Sequence, residues 1–400
     1  MNTPVQTAPA EELRRRMVAD LSRQGWIRSA PVRAAMSALA REAFLPDTDL
    51  DLVYAPHEVV RLRADQQGRT TSCTTAPWLV AAGLEQSRIR PGDTVLEIGT
   101  AIGLNAAYLS SLVGPHGRVV SVEIDSSLVE GARRVLAQVG ADNVEVRQGD
   151  GEHGAADRGP FDVVIATVQA ADLPWMDQVA EDGRIVAAVR LRSLVRQFVF
   201  EREGDHWIAT DQLFCGYVSM QGAGARPQQV VQVRPDVVLR VDGDPVDADT
   251  MTALVEQEPV QVWTGVTVGN QEPVLPHMDF YLAAVLDDYG RFHATKDAAA
   301  DGRITWTLGV GHSATWSATG FAVVALRRLD EENHEIGAFG HGPDGQRLAD
   351  DLAQHIRDWD TRHRGGPEPV VRAYRAGTPD DALALGRVVD RTHARFTISF

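Results

Sequence analysis

Apolar residues recur along the chain in two different rhythms. Within residues 11–45, Leu13, Met17 and Leu21 follow the three- to four-residue spacing of a helix that buries one face. After Pro91-Gly92 the pattern changes to short apolar runs, "DTVLEIG" and "GRVVSVEID", each followed by a helix-like segment. We interpret these runs as buried strands, because a strand covered on both faces is apolar throughout.

The strand and helix patterns alternate through the middle of the chain. Helices are predicted over "NAAYLSSLVG", which ends at Gly114, and over "SSLVEGARRVLAQVG", with Ser126 or Ser127 as its N-cap. Three more strands are predicted in "NVEVRQGD", "FDVVIATV" and "GRIVAAVR", and a Gly-Asp turn then joins two strands into a hairpin. The expected fold is therefore α/β: a Rossmann-like sheet of seven strands that ends in an antiparallel hairpin.

A Gly-rich polar stretch, "SMQGAGARPQQ", interrupts the pattern after the hairpin and indicates a domain boundary. The predicted division is a first domain over 1–220 with N-terminal helices, a linker over 221–229, and a C-terminal α+β domain over 230–400. The last of these contains two helical stretches, "MDFYLAAVLDDY" and "GQRLADDLAQHIRDWDTRH". Its tryptophans Trp263, Trp306 and Trp316 are expected in its core, with a peptide-binding wall as the alternative.

Composition limits the classes of protein that fit. The 400 residues are 44% hydrophobic and 24% charged, as in globular proteins, and the net charge of −16 argues against a nucleic-acid partner. No apolar run approaches the ~20 residues of a membrane span, and no signal-like segment opens the chain. The two cysteines, Cys73 and Cys215, form no metal or disulfide pattern, so we expect a cytoplasmic protein without a metal site.

The turn after the first strand, "LEIGTAIG" at 96–103, carries the first chemical signal. A dinucleotide site needs G-x-G-x-x-G to approach a pyrophosphate, whereas this turn has G-x-x-x-G. S-adenosylmethionine has no phosphate, and its site needs a close backbone and an acid for the ribose. Glu123 ends the second strand, where it can accept both ribose hydroxyls, and Asp150 ends the third, where it can meet the adenine. The alternative is that the glycines only form a turn and the acids are solvated caps.

These motifs resemble the protein-L-isoaspartate (D-aspartate) O-methyltransferase family over residues ~11 to ~220. The matching segments are Thr75-Ala76-Pro77 with Ala81, "LEIGTAIG" at 96–103, "GDG" at 149–151 and "AADLP" at 170–174. The resemblance implies a class I methyltransferase sheet and S-adenosylmethionine as cofactor, with S-adenosylhomocysteine as product. The cofactor contacts it implies are Glu97, Gly99, Thr100, Gly103, Glu123, Ile124, Asp150, Gly151 and Thr167.

Some features depart from the family and others resemble one branch of it. Ala101 replaces a glycine at the cofactor turn, and Thr75 stands at the position of the family's active-site serine. The hairpin and "CGYVSMQGAGA" are similar to a specialised branch found with lanthipeptides of the FxLD type, which also carries a long C-terminal extension. That resemblance implies a modified precursor peptide as the partner.

The stretch "GRTTSCTTAPWLV", residues 68–80, collects hydroxyl groups ahead of Pro77. A carboxylate is already ionised at pH 7, since aspartate titrates near ~3.9, so its methylation needs positioning by neutral donors and no general base. We expect catalytic roles for Thr75 and Ser72, and substrate contacts from His57, Cys73 and Thr74. The alternative is that these hydroxyls only cap the helix that begins at Pro77.

Three functions remain open from the sequence. The first is methylation of an aspartate in a ribosomally made, lanthipeptide-type peptide, leading through a succinimide to aspartate or isoaspartate. The second is housekeeping repair of isoaspartate in damaged proteins. The third is a non-catalytic peptide-binding protein on a decayed methyltransferase fold, which Ala101 and Thr75 would suit. The oligomeric state is left open.

Overall fold

The N-terminal region of the computed structural model is helical, as the spacing predicts. The structure describes residues 7–270 and 272–400. The helices before the first sheet are α1 (Thr7–Arg23), α2 (Ala30–Ala38), α3 (Leu50–Val53) and α4 (Pro77–Ser87). Between α3 and α4 lies a hairpin that was not predicted, made of β1 (Arg61–Ala64) and β2 (Thr70–Cys73).

The predicted α/β sheet is confirmed. Its strands are β3 (Thr94–Ile98), β4 (Arg118–Glu123), β5 (Val144–Gln148), β6 (Phe161–Ala170), β7 (Val179–Leu191), β8 (Leu194–Glu203) and β9 (His206–Phe214). They lie in the order β5-β4-β3-β6-β7-β8-β9. The pairs from β5 to β7 are parallel, whereas β8 and β9 run antiparallel as the terminal hairpin.

Two helices, α5 (Leu104–Val113) and α6 (Ser126–Gln138), connect the first three strands. Helix α5 ends at Gly114, as predicted. The predicted N-cap of α6 is wrong by one or two residues: the cap is Asp125, whose Oδ1 accepts hydrogen bonds from the backbone N–H groups of Ser127 and Leu128 at 2.8 and 3.2 Å. A carboxylate is favoured at this position because it also interacts with the positive end of the helix dipole.

A second sheet of antiparallel strands follows the Gly-rich stretch. Its strands are β10 (Gln229–Arg234), β11 (Val237–Val241), β12 (Val260–Gly269), β13 (Gly290–Ala294), β14 (His312–Ser317), β15 (Gly320–Arg328) and β16 (Asn333–His341). Its helices are α7 (Ala248–Val255), α8 (Leu275–Val285) and α9 (Gly345–Arg362). Helix α9 contacts β12, β15 and β16 and buries Leu348, Leu352, Ile356 and Trp359, which the helical spacing places on one face.

The last strands return to the first sheet. β17 (Val370–Arg375) pairs with β9, and β19 (Ala394–Ser399) and β18 (Arg387–Asp390) extend the sheet outward. The first sheet therefore has ten strands instead of the expected seven. The segment 230–400 contributes strands to both sheets, so the predicted linker at 221–229 does not separate the two sheets. The division of the chain into domains at this linker stays a prediction.

The two halves of the chain share one hydrophobic core. The rings of Phe198 in β8 and Phe280 in α8 lie 6.4 Å apart within it. The buried carboxylate of Asp242 contacts Arg190 at 3.3 Å and Arg391 at 2.9 Å, which joins the end of β11 to the first sheet. In the part of the chain that the structure describes, no helix combines the length and apolar content needed to cross a membrane.

Candidate active site

A cavity of about 300 Å³ opens at the carboxyl ends of β3 and β4, where ligands bind in open parallel sheets. The β1–β2 hairpin covers one side, and residues 218–221 cover another. Gln221 joins these two walls, because its Nε2 donates a hydrogen bond of 3.2 Å to the backbone carbonyl of Thr71. The predicted site residues that line the cavity are Ser72, Cys73, Thr74, Thr75, Gly99, Thr100, Glu123, Ile124, Gly151 and Thr167.

The turn after β3 brings its backbone to the cavity wall. Gly99 has φ +94°, and a Cβ there would lie 2.8 Å from Cγ1 of Val168. The hydroxyl of Thr167 donates a hydrogen bond of 2.7 Å to the carbonyl of Gly99 and so fixes the turn against β6. Gly103 is not among the lining residues, and a Cβ there would come within 3.2 Å of Ala132 in α6, so a side chain has little room at this position.

Glu123 presents its carboxylate to the cavity from the end of β4. Oε2 accepts a hydrogen bond of 2.8 Å from the backbone N–H of Ala101, and Oε1 accepts one of 3.1 Å from the N–H of Asp125. Each carboxylate oxygen can accept more than one hydrogen bond, so both remain able to take a ligand hydroxyl. The two N–H groups thus hold the carboxylate in one orientation.

Glu97 is fully buried beneath the cavity and does not line it. Its Oε1 accepts a hydrogen bond of 2.8 Å from Nδ2 of Asn105, and its Oε2 contacts the hydroxyl of Ser121. Burial raises the pKa of Glu97 to about 7. The structure therefore places Glu97 behind Asn105, which does line the cavity, as a residue that orients a neighbouring side chain.

Asp150 also lies outside the cavity lining. Its Oδ1 accepts from the N–H of Glu152 at 3.0 Å, and its Oδ2 accepts from the N–H of Ala223 at 2.6 Å. It therefore fastens the Gly-rich stretch 222–224 beside the site. Gly151, the next residue, does line the cavity, and a Cβ there would lie 2.6 Å from Ile98.

The first hydroxyl residues of the stretch 68–80 form a strand and do not cap a helix. Residues 70–73 form β2, and the N-cap of α4 is Ala76, which has no side-chain oxygen. Thr74 is buried, and its Oγ1 accepts a hydrogen bond of 2.9 Å from the N–H of Val60. Ser72 and Thr75 are half-buried and line the cavity. The interpretation that these hydroxyls cap α4 is therefore wrong.

The remaining predicted substrate residues differ in their positions. Cys73 is half-buried at the cavity wall, and burial raises the pKa of its thiol, which keeps it protonated near neutral pH. His57 is exposed and lies outside the cavity lining, with its ring 6.3 Å from that of Trp78. Across residues 7–270 and 272–400, no three His, Cys, Asp or Glu side chains are placed to hold a metal ion together.

Several residues of the site gave no signal in the sequence. Arg63 reaches the cavity rim from β1, where its guanidinium lies 3.6 Å from Asp125 and donates a hydrogen bond of 3.0 Å to Ser127. Met220, the last residue of the predicted first domain, and Gln221, the first residue of the predicted linker, also line the cavity. Short polar strands and Gly-rich loops have no hydrophobic period. The sequence therefore does not predict that the β1–β2 hairpin and residues 220–221 line the same cavity, and the folded chain shows it.

The donor set fits S-adenosylmethionine. Glu123 provides an oriented carboxylate for two hydroxyls, and Ile98, Val122 and Met220 provide apolar surface for a nucleoside base in the same cavity. The turn at Gly99 brings backbone to the ligand without a phosphate-binding pattern. The fold and this site define a class I S-adenosylmethionine-dependent methyltransferase.

Comparison with known proteins identifies the family. The sequence profile described as protein-L-isoaspartate(D-aspartate) O-methyltransferase matches residues 12–224, more than half of the chain. The chain belongs to this family, whose members are S-adenosylmethionine-dependent protein carboxyl O-methyltransferases.

The relatives agree with this assignment. A protein-L-isoaspartate O-methyltransferase of Methanothermobacter thermautotrophicus is 38% identical over 44% of this chain and 79% of its own length. One of Koribacter versatilis is 34% identical over 52% of this chain and 90% of its own length. A solved structure titled protein-L-isoaspartate O-methyltransferase shares the fold over 90% of this chain and 96% of its own, with a TM-score of 0.51 and 21% identity. The shared fold thus extends well beyond residue 224.

Proposed function

We propose that the protein methylates the free carboxylate of an isoaspartyl residue in a polypeptide, and that Ser72 and Thr75 position this carboxylate. The observation that carries the proposal is that both hydroxyl residues line the same cavity as Glu123. A hydroxyl can donate one hydrogen bond to a carboxylate oxygen without a full positive charge, so the second lone pair keeps its nucleophilicity.

The charge around the cavity supports neutral positioning. Among the lining residues of the described chain, Arg63 alone carries a basic side chain. Its guanidinium is directed toward Asp125 and Ser127 at the start of α6. Because the guanidinium is paired with the carboxylate of Asp125, it is not a free positive charge at the reacting oxygen.

S-adenosylmethionine, when bound, supplies the methyl group: the carboxylate oxygen bonds to the methyl carbon while the carbon–sulfur bond breaks, leaving a neutral thioether and a methyl ester. Glu123 would hold the nucleoside, and the β1–β2 hairpin with residues 218–221 would exclude water from the cavity. After the methylated polypeptide leaves the protein, the backbone nitrogen of the residue that follows the ester attacks the ester carbonyl. Methanol leaves, and a succinimide forms. Water then opens the ring to aspartate or isoaspartate.

A second candidate is an ordinary aspartate in a ribosomally made, modified peptide. It is favoured by one observation: "CGYVSMQGAGA", the stretch similar to the lanthipeptide-associated branch, supplies Val218, Ser219, Met220 and Gln221 to the cavity wall. Against it stands the long C-terminal part, which is not peculiar to such a branch because its fold recurs in the solved structure described above. Against the non-catalytic alternative stands the oriented carboxylate of Glu123.

One experiment separates these candidates. Three peptides of equal sequence carry isoaspartate, aspartate or asparagine at one position, and a fourth is a constrained, thioether-bridged peptide with aspartate. Methyl transfer is followed by mass spectrometry of the ester. We expect esterification of the isoaspartyl peptide and none of the asparagine control. A preference for aspartate in the bridged peptide would favour the second candidate, and transfer to none of them would reject both.

A further inference from the structure

A second cavity, of about 280 Å³, lies beside the end of β9 and is lined mainly by residues of the C-terminal half. Apolar side chains form most of its wall, among them Val268, Leu275, Met278 and Leu326. Leu308 and Val310 stand at its rim as exposed hydrophobic residues, as does Phe214. Exposed apolar side chains gathered around a concavity are typical of a binding site.

One carboxylate in the wall of this cavity, that of Asp279, is held in place by its neighbours. Asp279 is 7% exposed, and both Arg291 and the hydroxyl of Ser313 contact its Oδ1 at 2.6 Å. Asp279 also lines the cavity, so its carboxylate is an acceptor that a ligand donor can approach. The Arg291 partner balances the charge, so the cavity offers a hydrogen-bond acceptor without a net charge to neutralise.

Of the two histidines in the wall, His312 and His334, the first is already hydrogen-bonded at both ring nitrogens. Nδ1 of His312 donates to the carbonyl of Val324 at 2.9 Å, and Nε2 accepts from the N–H of Leu308 at 3.2 Å. Burial lowers the pKa of His312 to about 4, so the ring is neutral at pH 7. This ring shapes the wall and has no free nitrogen for a metal or for proton transfer.

The chain itself links this cavity to the candidate active site. Phe214 lines the second cavity, and Val218, four residues later, lines the first. An extended chain of four residues spans at most about 14 Å. Cys215, between them, is buried against Leu79 and Ala188, so the run is packed against the first sheet. A polypeptide lying along it would reach both cavities.

We propose that this second cavity is a substrate subsite that binds an aromatic side chain, tyrosine or tryptophan, of the polypeptide whose carboxylate is methylated. The proposal rests on the polypeptide acceptor of the proposed function. An aromatic ring matches the apolar wall, which includes Phe214 and Trp306, and its O–H or N–H suits the carboxylate acceptor of Asp279. Because Phe214 and Val218 are at most about 14 Å apart, we expect the aromatic side chain within a few residues of the methylated one.

The test uses isoaspartyl peptides that carry tyrosine, phenylalanine or serine three to six residues from the isoaspartate, on either side, and an isoaspartyl tripeptide that is too short to reach. The variant Leu308→Asn/Val310→Asn alters the rim. Val230→Asn/Leu329→Asn is the matched control, since Val230 and Val310 are 53% and 51% exposed and neither control residue lines the cavity. Steady-state kinetics give kcat and KM for each combination of protein and peptide.

For the native protein we expect kcat/KM at least tenfold higher with tyrosine than with serine at one spacing, through KM, with phenylalanine between them. The rim variant should lose this preference, the control should keep it, and all proteins should methylate the tripeptide equally. Methylation of the tripeptide with no preference at any spacing would overturn the subsite, as would loss of the preference in the control. If the native protein methylates none of the peptides, the proposed function is rejected, and calorimetry of the same peptides tests the subsite separately. Binding of the tyrosine peptide ten times tighter than the serine peptide would then support the subsite. Equal binding of the two peptides would overturn it.

Discussion

The backbone N–H of Ala101 donates a hydrogen bond of 2.8 Å to Oε2 of Glu123, and this bond ties the turn after β3 to the end of β4. Ala101 has φ +47°, the left-handed region in which the family carries glycine. The chain therefore keeps the conformation of the turn with an alanine. Ala101, which departs from the family, and Glu123, which matches it, are therefore joined by a hydrogen bond that orients the Glu123 carboxylate.

Glu123→Gln should weaken S-adenosylmethionine binding at least tenfold, because a charged acceptor of two hydroxyls contributes about 1.5–3 kcal/mol. Calorimetry measures the affinity, and circular dichroism checks the fold. Glu130→Gln, on the exposed face of α6, is the control and should bind as the native protein does. Unchanged affinity in Glu123→Gln would remove this residue from the cofactor site.

Ala101→Gly should leave stability unchanged or raise it by up to about 1 kcal/mol, because relief of the left-handed strain offsets the greater entropy of an unfolded glycine. The comparison is Ala19→Gly, on the exposed face of α1, which should cost about 1 kcal/mol. Denaturant unfolding measures both. If Ala101→Gly lowers the free energy of unfolding as much as Ala19→Gly does, the backbone at Ala101 is not strained.

Thr75→Ala and Ser72→Ala test the positioning of the carboxylate. We expect at least one of them to lower kcat tenfold or more, with cofactor affinity and melting temperature near native values, because a hydroxyl at a cavity wall orients substrate and carries little of the fold. Thr70→Ala, on the exposed start of β2, is the control. Native turnover in both variants would show that their hydroxyls do not act on the substrate.

Thr74→Ala should behave in the opposite way. Its buried Oγ1 accepts the N–H of Val60, and loss of the acceptor leaves that donor unpaired at a cost of about 1–3 kcal/mol. Unfolding free energy should fall by this amount, whereas kcat per folded molecule should change less than in Thr75→Ala. A larger effect on kcat than on stability would assign Thr74 to the substrate instead.

Glu97 makes stability depend on pH. Burial raises its pKa from 4.5 to about 7, so the folded state holds a proton that the unfolded state has released between these values. Stability therefore falls as the pH rises from about 4.5 through 7, by up to about 3 kcal/mol. Denaturant unfolding of Glu97→Gln should lack this fall, whereas Glu130→Gln should keep it. Parallel pH profiles for the native protein and Glu97→Gln would contradict the shift.

The sequence predicted the features that local patterns encode. The strands β3 to β9 and the helices α5, α6 and α9 follow hydrophobic period, and Glu123 follows from its place at a strand end. The β1–β2 hairpin was missed because its strands are only four residues long and mostly polar, without a hydrophobic period. The adenine contact expected of Asp150 stays a prediction. Its Oδ2 accepts a hydrogen bond from the backbone N–H of Ala223, and no local signal predicts a partner so distant in sequence.

The pairing of β17 with β9 has a consequence for synthesis of the protein. Every strand from β3 to β9 can leave the ribosome long before residues 370–399 are made, and during that time β9 is an open edge that can pair with other chains. The sheet is complete only when the last strand is added, a contact across a long stretch of sequence and hence a slow one to form. Loss of a few dozen residues from the carboxyl end would make this temporary exposure permanent.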